Sequence, residues 1–134
     1  MSQVFQMALD RLQPSQLYIS AGKLRKVLET AEPPDPIPIK KLGAYLVMTD
    51  GHTRAFAAWS HGQTEVPVEW DEDDMDWEAY EICVQWCMEE NIHTVADLVD
   101  RVVDAETYQA LWLDRCAAMH RELQASQGLG QETP

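Results

Sequence analysis

The run AYLVMTDGHTRAFAAW, residues 44–59, constrains this chain more than any other stretch. Ala44 to Thr49 is almost continuously apolar, which suits a short strand buried on both faces in the middle of a sheet. Asp50-Gly51 is a turn signal, because glycine accepts backbone angles that other residues resist. From Thr53 to about His61 the spacing is helical, with Phe56 and Trp59 three apart and Gly62 placed to end the helix. The pattern predicts a central strand, a tight turn and a helix start in quick succession.

The flanking sequence fills in an α+β order. Gln16 to Ser20 (QLYIS) reads as a short strand, and Ser20 is placed to cap a helix through about Glu29 with Leu24, Val27 and Leu28 on one face. The four prolines of AEPPDPIPIKKL forbid helix and hold that segment extended. Glu65 to Trp70 (EVPVEW) reads as a strand, and Pro67 argues for an edge position or for one unpaired side.

Beyond Asp71 the period becomes helical throughout. The acidic run Asp71 to Asp76 supplies caps and a negative first turn, followed by a face of Trp77, Tyr80, Cys83, Val84 and Cys87. Thr94 with Asp97 three later marks a capping box. A last helix from Ala105 to about Leu123 aligns Tyr108, Leu111, Trp112, Cys116, Met119 and Leu123. The expected organisation is a core over residues 1–70, a helical extension over 71–124 packed on it, and a polar, flexible tail over 125–134.

Composition narrows the class. At 134 residues and 46% hydrophobic, the chain can bury a core without disulfides. Its formal net charge of −13 works against phosphate neutralisation on duplex DNA, so direct DNA binding is not expected. The cations form only small groups, Lys23, Arg25 and Lys26, and Lys40-Lys41. Three cysteines, an odd number, suit reduced thiols. With neither a signal-peptide pattern nor an apolar run of about 20 residues, the expectation is a cytoplasmic protein with no membrane span.

The turn after Thr49 carries the chemistry. A strand leading into a helix start brings free backbone N–H groups together, which favours an anion, and His52, Thr53 and Arg54 add donors beside them. The plainer alternative is that Asp50 or Thr49 caps the helix and Arg54 pairs with a surface acid.

MTDGHTRAFAA resembles the signature turn of the ParB/sulfiredoxin-like fold superfamily, in which a strand enters an Asp-Gly-His-x-Arg or Gly-Gly-Cys-His-Arg loop followed by an alanine-containing helix. LQPSQLYIS resembles the opening strand and turn, and the likeness covers roughly residues 12 to 70. The segments YEICVQWC and YQALWLDRC resemble a helical extension of uncharacterised bacterial ParB-like proteins. The resemblance implies a small mixed-sheet ParB/sulfiredoxin-like domain followed by a helical C-terminal half, and it implies nucleotide handling. Similar proteins include a free-serine kinase, ATP-dependent sulfiredoxins and CTP-binding partition proteins.

Carried over, Gly51, His52, Thr53 and Arg54 would contact the phosphates of ATP, ADP or CTP, with Asp50 supporting a substrate or Mg²⁺. Asp50 and His52 are then the candidate catalytic residues. The chain departs from its relatives in three places. The loop has no sulfiredoxin cysteine, Thr53 replaces the second histidine of the kinase loop, and Gln16 stands near the expected position of a catalytic glutamate. An amide is no base, leaving Asp50 or Asp35 to substitute.

Two further clusters invite a metal reading. Cys83 and Cys87, with Cys116 and His120, are spaced four apart on two predicted helices and can in principle build a Cys₃His zinc site; as small buried hydrophobes the cysteines read equally as core. The core reading is preferred, so zinc is not expected. Asp71 to Asp76 reads as a divalent-metal or general-base site or as a solvated helix start, the last being more economical. Three functions follow: a phosphate-binding small-molecule kinase, a ligand-sensing module whose helical half meets a protein partner or a second copy, and, less favoured, a DNA-partition role.

Overall fold

A computed structural model describes residues 3–30 and 35–132. Strands β1 (Phe5–Ala8), β5 (Glu65–Trp70), β3 (Ile37–Leu42) and β4 (Tyr45–Met48) form one mixed sheet in the order β1-β5-β3-β4. β1 runs antiparallel to β5, β5 parallel to β3, and β3 antiparallel to β4. Side chains alternate faces along each strand. Ile37, Ile39, Met48, Val66 and Val68 therefore share one apolar core with Leu9, Leu12, Ala55 and Val95. The chain is α+β, as its element order predicts. Residues 31–34, the first part of the proline-rich segment, lie outside the described residues.

β4 departs from its expected place, and β5 takes the second of its two expected readings, a strand with one side unpaired at Pro67. β4 is an edge strand, not a central one. Its apolar character follows from what covers that edge. Gln13 N–H donates to the Leu46 carbonyl at 2.8 Å, and Met48 N–H donates to the Gln13 carbonyl at 2.9 Å. An edge covered by a buried segment needs no charged residues to discourage further pairing. β5, conversely, lies inside the sheet. Pro67 is tolerated there because only β1 flanks it, opposite Gln6; pairing with β3 begins one residue later, at Val68 with Ile37.

Helix α1 (Ala21–Glu29) starts where expected, with the Ser20 hydroxyl accepting from Lys23 N–H. Helix α2 (His52–Ser60) ends at Gly62, whose φ of +83° is the left-handed conformation that glycine adopts cheaply. α2 is the shared wall of the molecule. Ala55 belongs to the sheet core and Phe56 to a second core, and Trp59 packs against both.

That second core joins Leu17 and Ile19 to Ala79, Cys83 and Cys87 of α3 (Trp77–Glu89), to Leu98, and to Tyr108, Trp112 and Met119 of the C-terminal helix. Thr94 and Asp97 form the expected capping box, but it opens a 3₁₀ helix, Val95–Arg101. The two halves interlock. β2 (Ile19–Ser20) pairs in parallel with β6 (Val102–Val103), and Val95 inserts into the sheet core from the helical half.

The last helix is continuous but not regular: α4 (Ala105–Tyr108) passes through a π-helical segment, Gln109–Leu113, into α5 (Asp114–Glu132). Tyr108 and Trp112 are buried across the π segment, and Leu111 within it is turned outward. Leu111 is 44% exposed, whereas the sequence spacing placed it inside. The helix also continues to Glu132, into the polar residues that read as a flexible tail. Among the described residues no helix is long and apolar enough to cross a membrane.

Leu98 is fully buried, so Leu98→Ala should cost about 2–5 kcal/mol of unfolding free energy in urea titrations. Leu111→Ala, on the exposed side of the π turn, should change it by less than about 0.5 kcal/mol. Equal losses at the two positions would contradict the rotated face.

Candidate functional site at the start of helix α2

The site is built where β4 ends. Gly51, the residue before α2, has φ +77° and ψ +18°, a conformation natural to glycine. No side chain caps the helix. Asp50 turns its Oδ1 to its neighbour's Gly51 N–H, at 2.8 Å, and the Thr49 hydroxyl donates to Asp71 Oδ2 at 2.6 Å. Neither does what simple capping predicts, and the N–H groups of the first turn are left without a side-chain acceptor. Arg54 is in no salt bridge among the described residues. Its Nη2 donates to the Pro36 carbonyl at 3.3 Å, and its buried Nε has no partner.

His52 is only 3% exposed and behaves differently from a surface phosphate ligand. The Ser15 backbone N–H donates to its Nε2 at 2.9 Å. An Nε2 that accepts must carry a lone pair, so the proton of the neutral ring sits on Nδ1. Nδ1 is buried without a partner. Burial lowers the His52 pKa to about 4; Asp50 opposes that fall, and Arg54 adds to it. At neutral pH His52 is therefore an uncharged donor. Its ε nitrogen is occupied and unavailable for accepting a substrate proton.

The loop opens onto a cavity of about 310 Å³ whose walls include Lys23 and Lys26 of α1, Arg54, Thr53, Gln16 and Tyr108. Among the described residues, Asp50 is the one carboxylate in its wall. Three cations and a helix N-terminus thus converge in a chain whose net charge is −13. The two lysines were visible in the sequence as a basic group, and their three-residue spacing puts them on one helix face. Their approach to α2 was not visible, because it depends on how α1 packs. Lys23 Nζ also lies over the Tyr108 ring, 5.6 Å from its centre.

Gln16, the residue at the expected base position, lines the cavity as an amide donor to the Tyr18 carbonyl (2.7 Å) and the Tyr108 hydroxyl (3.1 Å). Asp35, the other proposed base, is not part of this wall.

A second cavity, about 530 Å³, lies between α3 and the C-terminal helix, and Gln16 and His52 line both. Tyr80 borders it and donates to the Thr49 carbonyl at 3.1 Å. Burial, then Asp71 and Asp50, push the Tyr80 phenol up to about 12, so it stays a donor. Cys83 and Cys116 both line this cavity, and their mutual interaction raises the Cys83 thiol and lowers that of Cys116. Cys87 is fully buried, and burial pushes its thiol up to about 12. Among the described residues, no three His, Cys, Asp or Glu come together as a metal centre requires. Of the acidic run, Asp76 caps α3 and Asp71 serves Thr49.

Two outcomes test this geometry. In urea titrations Gly51→Ala should lower stability by about 1–2 kcal/mol from the left-handed backbone alone, and the added Cβ would also lie 2.8 Å from Arg54 Nη2. For His52, the unfolded ring titrates at 6.5 and the folded one at about 4, so the unfolded chain binds more protons between those values. Stability should be full above pH 6.5 and fall toward pH 4, by up to about 3 kcal/mol from this group. His52→Gln, which keeps an acceptor for Ser15, should flatten the fall between pH 6.5 and 5 in urea titrations; an unchanged slope would contradict a buried neutral ring.

No protein-family model matches the chain, and no curated protein matches it. Among solved structures, one that matches is the crystal structure of protein Atu1540 from Agrobacterium tumefaciens, at 14% identity and a TM-score of 0.45. The match covers 69% of this chain and 50% of that one, so the chain spans about half the length of that protein.

Proposed function

We propose that this chain binds a nucleotide or closely related phosphate compound at the start of α2, within a ParB/sulfiredoxin-like fold. One observation carries the reading: Lys23, Lys26 and Arg54 line a single cavity with the α2 N-terminus in an otherwise acidic protein. Phosphate is the ligand that suits such a set, taking backbone N–H groups and cationic side chains together. In this reading Gly51, Thr53 and Arg54 hold the phosphate from the loop, the lysines close over it from α1, and His52 donates from Nδ1. A Mg²⁺ ion arriving with the nucleotide would find Asp50 as the carboxylate of this wall. The likeness of MTDGHTRAFAA to the superfamily's turn supports the same ligand class.

Binding is the primary reading, and phosphoryl transfer is secondary. Gln16 is an amide and the His52 ε nitrogen is occupied, so among the residues lining the cavity any transfer to a small hydroxylated acceptor falls to Asp50. A ligand that binds only the folded chain raises its melting temperature, by about 2.7 kcal/mol of added stability at a hundredfold excess over Kd. ATP, ADP or CTP should therefore shift melting upward and adenosine should not. The paired substitution Lys23→Ala and Lys26→Ala, at exposed positions, should remove most of the shift, as should Arg54→Ala. Nucleotide shifts that survive both changes would remove this cavity from the function.

A further inference from the structure

We infer that the 530 Å³ cavity between α3 and the C-terminal helix receives the aromatic base of the ligand whose phosphates sit at α2; this rests on the phosphate reading above. Gln16 and His52 line both cavities, which sets the two side by side at that wall. Their chemistry is opposite. The 310 Å³ cavity holds Lys23, Lys26 and Arg54, whereas the larger one has no lysine or arginine in its lining and carries Asp74 and Asp76. An anion placed there meets carboxylates in place of cations. An uncharged planar group instead meets Ala79, Cys83, Trp112 and Met119, all buried members of one core.

A second, independent observation lies at the junction. His52 is 3% exposed, and its Nδ1–H has no acceptor among the described residues. A buried donor without a partner is costly, and in this proposal a ligand acceptor at the junction of the two cavities pairs with it. Trp112 is held for this role by an edge-on contact with Trp86, ring centres 6.0 Å apart at 82°. The helical half thus contributes base selection while the sheet half contributes phosphate capture.

The test compares ADP, ATP and CTP with pyrophosphate on the whole chain, by calorimetry and by the rate at which iodoacetamide alkylates Cys116, a half-buried thiol on the cavity wall. At least one nucleotide should bind about tenfold or more tightly than pyrophosphate. It should also slow Cys116 alkylation several-fold, while pyrophosphate leaves that rate unchanged. Chain alkylated at Cys116 beforehand should keep its pyrophosphate affinity and lose the nucleotide's advantage, which guards against a variant that fails to fold. If nucleotides and pyrophosphate bind alike, or if the nucleotides bind better without protecting Cys116, the base lies elsewhere and the inference fails while phosphate binding stands. If none of these probes binds, both readings fall together.

Discussion

The hydrogen bond from Ser15 N–H to His52 Nε2 is the contact on which the site depends. It joins an irregular, wholly buried stretch, Leu12 to Ser15, to the first residue of α2. Buried irregular backbone is tolerated only when its polar groups find partners. Here Gln13 pairs with β4 through its backbone and reaches the Ile92 carbonyl with its side chain, while the Ser15 hydroxyl donates to the Met48 carbonyl. The histidine is what completes this set. Accepting from Ser15 fixes its tautomer, and burial takes away its basicity.

The second organising feature is a separation of charge. The acidic residues at Asp71, Glu72 and Asp73 gather with Glu69 around a cavity on one side of Asp50, and the cations gather on the other. Asp50 stands at the boundary and lines both. An acidic surface around a small cationic recess disfavours extended polyanions, since each further phosphate meets like charge, yet it leaves room for one compact anion.

Much of this was legible in the sequence. The strand, turn and helix around Gly51, the Ser20 cap, the Thr94–Asp97 box and the Gly62 stop are local effects, set by residues within a turn of each other. What escaped was set by distant partners. β1 carries too few residues to announce itself, and its Phe5 and Met7 become a strand face only opposite β5. β4 reads as central because Gln13 seals its edge from thirty-odd positions away. Leu111 reads as buried because a period of 3.6 cannot foresee a π turn. In the site itself Asp50 to Arg54 were identifiable from type and order, whereas Ser15, Lys23, Lys26 and Tyr108 were assembled by packing alone.

The pairing of β2 with β6 has a consequence for how the protein is made. Ile19 and Leu17 emerge early from a ribosome, but their neighbours Leu98, Val102, Tyr108 and Trp112 come from the far half of the chain. Until those residues appear, an apolar segment and one face of α2 have nothing to cover them, and long-range parallel pairing closes slowly. The cationic recess therefore cannot mature on the nascent sheet half alone: Tyr108, one of its walls, comes from the far half of the chain.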